Sequence, residues 1–150
     1  MNFEIIDYQP VYKNEVLHMM LALYEDSIQQ QQMSPEKIQK TLSIIPSHPQ
    51  IGKILLFKQQ GILIGYALLI NYWSNEYGGN ILYIDELYLK SDYRSLGIGS
   101  AFFSYIEKHV DNNTVALCLE TTPQNKKAQS FYKKNKFEIY ENIFYFKELN

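Results

Sequence analysis

The residues best placed to do chemistry lie in Arg94-Ser95-Leu96-Gly97-Ile98-Gly99, just before a segment that carries Ile98, Phe102, Ile106 and Val110 at helical spacing. A strand that feeds a glycine turn and then a helix N-terminus makes an anion site. The first helical N–H groups have no partner inside the helix, and the helix dipole places about half a positive charge there. Glycine lets backbone come close to a ligand and adopt angles that a Cβ forbids. Arg94 adds a cationic fork suited to phosphate. The same turn also admits a plain reading, as a tight bend that leads into a helix. Two nucleotide-binding patterns do not fit: Phe102 stands where G-x-G-x-x-G needs a third small residue, and no G-K-[ST] follows.

The other reactive residue types exclude several classes of function. Cys118 is the sole cysteine, so no internal disulfide forms; with no evident His partner it reads as core between Leu117 and Leu119. His18, His48 and His109 show no metal-ligand spacing, and no metal is expected. Across 150 residues, 14 Lys and Arg oppose 16 Asp and Glu, a net charge of −2. A chain that grips a long phosphate backbone carries a basic excess, so nucleic acid is not an expected partner. Lys126, Lys127, Lys133, Lys134 and Lys136 read as a solvated helix face or as a patch beside a phosphorylated ligand. Apolar residues at 46% and charged residues at 20% describe a globular chain rather than a disordered one. The longest apolar stretch, residues 62–70, falls far short of the roughly 20 residues of a membrane span, and the start shows no basic leader. One cytoplasmic domain over residues 1–150 is the expectation.

Elements on either side must position the glycine turn. Residues 3–8 read as a strand, and Val16, Met20 and Leu23 mark an amphipathic helix. Ser34-Pro35-Glu36 starts a second helix, which the spacing ends before Pro46. Residues 51–58 and 62–70 form a hairpin across Gln59-Gln60-Gly61, and residues 81–89 add a third strand. After the turn and its helix, residues 114–119 suit a strand covered on both faces. Residues 125–134 read as a short helix, and residues 137–140 and 143–147 as two closing strands. The order β-α-α-β-β-β-α-β-α-β-β describes a mixed α+β domain with a mostly antiparallel sheet and one βαβ crossover.

Tyr83-Ile84-Asp85-Glu86-Leu87-Tyr88-Leu89, followed by Asp92-Tyr93-Arg94-Ser95-Leu96-Gly97-Ile98-Gly99, resembles the acetyl-CoA signature of the GNAT superfamily of N-acetyltransferases. Asn125, Ala128, Phe131 and Tyr132 match that family's N-x-x-A-x-x-F-Y element. The resemblance implies a GNAT fold and acetyl-CoA as cofactor. It also implies acetyl transfer to a primary amine by direct attack in a ternary complex. Two positions depart from the pattern. Ser95 stands where most members have glycine after the arginine, and Lys136-Phe137 replaces the usual Gly-Phe, with Asn135 expected to supply the left-handed helix stop one residue early.

The resemblance also implies roles for particular residues. The pyrophosphate would sit on the N–H groups of Ser95, Leu96, Gly97, Ile98, Gly99 and Ser100, helped by Arg94. The pantetheine arm would pair with the strand edge at Leu87, Tyr88 and Leu89, where a main-chain N–H would stabilise the oxyanion. Asn125 would bond the arm from the other side, and Tyr132 would protonate the departing thiolate; aromatic packing is the plain alternative for Tyr132. Deprotonating an alkyl ammonium at neutral pH costs about 4–5 kcal/mol, which makes a base useful. Asp85, Glu86 and a water chain are the candidates, with the two neighbouring carboxylates expected on opposite faces of their strand. Asp85 matches the carboxylate used by polyamine-acetylating relatives. Tyr24, Glu25, Asp26, Trp73 and Glu76 form a candidate acceptor wall, or ordinary surface loops. The acceptor is a small cationic amine of polyamine or aminoglycoside type, a metabolite amine, or a protein or peptide amine. A homodimer through an edge strand or the C-terminal hairpin would match many relatives. The alternative function is a CoA-binding sensor or scaffold without turnover.

Overall fold

A strand that alternates apolar and polar residues has one covered face; residues 54–57 and 63–69 do not alternate, because both of their faces are covered. In the computed structural model, which describes residues 2–25 and 32–149, they belong to the two inner strands β2 (Gly52–Gln59) and β3 (Ile62–Ser74). With β1 (Glu4–Asp7), β4 (Gly79–Leu89) and β5 (Thr114–Leu119) they form one sheet in the order β1-β2-β3-β4-β5. The first three pairings are antiparallel, and β4 with β5 is parallel. Helices α1 (Lys13–Glu25) and α2 (Pro35–Ser47) place Val16, Met20, Ile38 and Leu42 in one apolar cluster with Ile54, Leu56, Tyr66 and Leu68. On β2 the alternate residue Phe57 instead meets Phe102 of α3 (Ile98–His109), with ring centroids 5.3 Å apart. The crossover β4-α3-β5 is the one parallel connection, and it places the glycine turn between β4 and α3. The chain divides into two compact units, Met1–Glu120 and Thr121–Asn150; the second holds α4 (Lys126–Lys134).

The α/β order through α4 is the expected one. Three local expectations are corrected. Helix α2 runs through Pro46 to Ser47 instead of stopping before it. Proline is tolerated in that last turn because His48 N donates to Ile45 O and Ser47 Oγ donates to Ser43 O, so the helix end is closed without it. Strand β5 is not covered on both faces: it ends the sheet, and Val115 is 48% exposed. Its continuous apolar run reflects parallel pairing, not depth. Residues 137–149, read as two strands, are irregular, with Ile139, Ile143, Phe144, Tyr145 and Phe146 exposed. A two-stranded hairpin without a third strand or a helix against it is marginal in water, so the β pattern of these residues does not by itself produce strands. Among the described residues no helix is long and apolar enough to cross a membrane.

Candidate active site

The parallel ladder between β4 and β5 ends at Ile84 opposite Leu119. Beyond that point β4 continues to Leu89 with β3 as its neighbour, so among the described residues Asp85 to Leu89 present one edge of backbone amides and carbonyls with no strand paired to it. β3 approaches closely on the other side: a Cβ on Gly65 would stand 2.3 Å from the Tyr88 carbonyl oxygen. The antiparallel register shifts within the same stretch, pairing Leu68 with Glu86 and Leu69 with Ile84. Asp85 is therefore the extra residue of a β-bulge, a device that bends a strand and re-aims a side chain.

The two expected base candidates stand in different surroundings. Asp85 reaches solvent, and Glu86 is buried at 7% exposure. Glu86 accepts a hydrogen bond from Tyr24 Oη at 2.7 Å on one oxygen and from Tyr66 Oη at 2.7 Å on the other. Burial raises the Glu86 carboxyl pKa, and those two hydrogen bonds pull it back. The Asp85 carboxyl is held above the ordinary aspartate range, first by the protein around it and then by the negative charge of Glu120. Glu120 directly follows β5, and after burial its negative charge is the next cause that raises the Tyr83 hydroxyl pKa. Sequence reasoning missed Glu120. Its sole signal is an acid at the end of an apolar run, which gains meaning only when Ile84 pairs with Leu119.

The turn beyond β4 is built for close approach. Arg94 Nε donates to the Leu89 carbonyl at 2.7 Å, and its guanidinium lies 5.5 Å from the centre of the Tyr88 ring. Both contacts hold the cation against the end of the open edge. Gly97 takes φ +82°, a left-handed angle, as the residue before α3, and no side chain caps the helix there. The first main-chain hydrogen bond into α3 runs from Ala101 N to Gly97 O, which leaves the earlier amides of the turn outside the helical ladder. An uncapped helix start beside a fixed arginine fits the diphosphate of CoA.

The acceptor-wall residues are not brought into one group. Tyr24 reaches β4 through Glu86, and the neighbouring Glu25 is exposed. Asp26 lies outside the described residues. Trp73 is five residues past Leu68 on β3, roughly 17 Å along the strand at about 3.4 Å per residue, and Glu76 lies in the turn beyond it. Cys118 is half-buried rather than core.

Comparison with known proteins gives the decisive observation: the pattern of the Acetyltransferase (GNAT) family matches residues 17–137. The chain belongs to the GNAT acetyltransferase family. It is 34% identical over 76 residues to thialysine N-epsilon-acetyltransferase of Sus scrofa, covering 50% of this chain and 44% of that protein. It is also 31% identical over 89 residues to tyramine N-feruloyltransferase 4/11 of Nicotiana tabacum, covering 59% of this chain and 39% of that one. The chain thus spans less than half the length of these curated relatives. Among solved structures, a possible acetyltransferase from Clostridium difficile 630 has a TM-score of 0.85 at 19% identity, with 100% of each chain covered. The aminoglycoside acetyltransferase AAC(6')-Iy, solved with the bisubstrate analogue CoA-S-monomethyl-acetylneamine, has a TM-score of 0.80 at 11% identity, again over 100% of each chain. Both likenesses establish the GNAT fold.

The two departures from the GNAT pattern have local physical costs. Ser95 takes φ +63° and Lys136 φ +66°, so each holds an L side chain in the left-handed region. Asn135 keeps φ −92°, which corrects the expectation that it would take over the helix stop. Its place is inside the cap: Lys136 N donates to Lys133 O and Phe137 N to Tyr132 O, each at 3.0 Å, the paired bonds of a Schellman motif. That motif needs its positive φ one residue later, at Lys136. Its customary apolar contact is the Tyr132–Phe137 ring pair, with centroids 6.1 Å apart, so the cap helps to set the Tyr132 ring. At the other end of α4, Asn125 Oδ1 accepts from Ala128 N at 3.0 Å. A non-glycine residue in the left-handed region costs about 1–2 kcal/mol, partly offset by the greater freedom of glycine when unfolded. Ser95→Gly is expected to raise the melting temperature by about 2 °C in a thermal scan. A lower value would show that the serine side chain holds the turn.

Proposed function

We propose that the protein transfers the acetyl group of acetyl-CoA to a primary amine by direct attack in a ternary complex. The observation that carries this reading is the open β4 edge at Asp85 to Leu89 running into the uncapped turn at Gly97. Leu87, Tyr88 and Leu89 offer main-chain groups to the peptide-like pantetheine arm and to the developing oxyanion. The amides from Ser95 to Ser100, with Arg94, receive the diphosphate. Acetyl-CoA supplies a thioester carbonyl that the amine attacks, with loss of the thiolate. Asp85 takes the proton from the amine nitrogen; its position open to solvent and its raised pKa suit that task better than the enclosed carboxylate of Glu86. Tyr132 donates its hydroxyl proton to the departing sulfur, and burial keeps that hydroxyl protonated at neutral pH by raising its pKa.

The acceptor we propose is a small cationic amine. Asp85 and Glu120 set negative charge beside the open edge, and the exposed ring of Trp73 lies further along β3. The named relatives that act on thialysine and tyramine, and the structure bound to an aminoglycoside-derived analogue, are in keeping with amine acceptors. The test is acetyl-CoA consumption against polyamines, aminoglycosides, amino acids and peptides, with calorimetric titration of CoA alongside. Turnover with a cationic amine is expected. CoA binding without acetylation of any amine would replace this reading with that of a sensor or scaffold, and failure to bind CoA would remove both.

A further inference from the structure

A carboxylate leaves water only where other groups replace its hydration. Among the described residues Glu86 is the one charged side chain in the buried set, and each of its oxygens accepts a single phenolic hydroxyl at 2.7 Å. Such short O–H···O contacts are charge-assisted and stronger than neutral ones. The two donors differ in setting. Tyr66, on β3, is 0% exposed, lies within the apolar cluster and packs against Tyr88 with ring centroids 5.9 Å apart. Tyr24 is on the last turn of α1, only half-buried, and 62 residues from Glu86 in sequence. Asp85 adjoins Glu86 in β4, so the hydrogen bond brings the helix end to the residue next to the proposed base.

Packing alone would not call for this arrangement, since well-packed apolar side chains in place of a buried charged group are often neutral or stabilising. An apolar contact, however, lets a helix end slide, whereas a short hydrogen bond fixes both distance and direction. We infer that Glu86 is a positioning residue: through Tyr24 it holds the end of α1 beside Asp85 and so sets the affinity for the amine. This inference rests on acetyl transfer with Asp85 as base, as proposed above.

Tyr24→Phe and Glu86→Gln test it by two independent measurements. Amide hydrogen exchange over residues 21–25 is expected to speed up in both variants. The KM for the amine is expected to rise roughly tenfold, as loss of one charge-assisted hydrogen bond implies, with the KM for acetyl-CoA and the midpoint of the pH profile of kcat/KM unmoved. Unchanged exchange in Tyr24→Phe would overturn the tether. Faster exchange with an unaltered KM for the amine would overturn its link to the acceptor. Loss of the pH-dependent limb in Glu86→Gln would make Glu86 the base instead. Tyr24→Phe removes a single oxygen atom from a half-buried side chain, so it carries the test if Glu86→Gln does not fold. If the wild-type protein acetylates no amine, the proposed reaction falls, and exchange still decides whether the hydroxyl holds α1.

Discussion

Asp85→Asn is expected to lower kcat/KM by about 10²–10³-fold at neutral pH and to flatten its rise with pH, because an amide cannot accept the proton of the ammonium. The same substitution should move stability the other way. The folded-state pKa of Asp85 is raised by partial desolvation from the protein around it and by Glu120, so the folded protein holds that proton more tightly than the unfolded chain does. Stability is then lost as pH rises from the unfolded value through the folded one. Asp85→Asn avoids it, so its melting temperature at neutral pH should exceed that of the wild type, with the difference vanishing in acid. A residue that merely packs would lose stability and activity together. An unaltered pH profile would remove Asp85 from the mechanism.

Tyr132→Phe is expected to reduce kcat by about 10²-fold, the usual contribution of a positioned acid. The ring contacts to Phe131 at 5.5 Å and to Phe137 at 6.1 Å need no hydroxyl and survive in phenylalanine. Neither does the main-chain cap at Tyr132 O depend on the side chain. Turnover should therefore fall while the ring packing is kept. Full kcat in this variant would assign Tyr132 to packing alone.

Chemistry encoded within a few consecutive residues was legible before any fold was known. The turn at residues 94–99 is such a case, because a left-handed bend into a helix needs only a glycine and the following apolar period. Chemistry that depends on neighbours distant in sequence was not legible. Glu120 becomes an influence on Asp85 only through the parallel register of β4 and β5, and Glu86 becomes an enclosed acceptor only when Tyr66 and Tyr24 converge on it.

The same division runs through the scaffold. Periodicity and turn residues named five strands and four helices of this chain in order, since each reports which side of a local segment is apolar. The β pattern in residues 137–149 had no such outcome, because a strand is completed by a partner and not by its own side chains. The residue types alone named a glycine turn in the crossover and a carboxylate pair on its strand. Whether each carboxylate meets water or a tyrosine, and whether the strand edge beside them stays open, was decided by tertiary packing. Burial and strand register are properties of the assembled sheet, which no single segment carries.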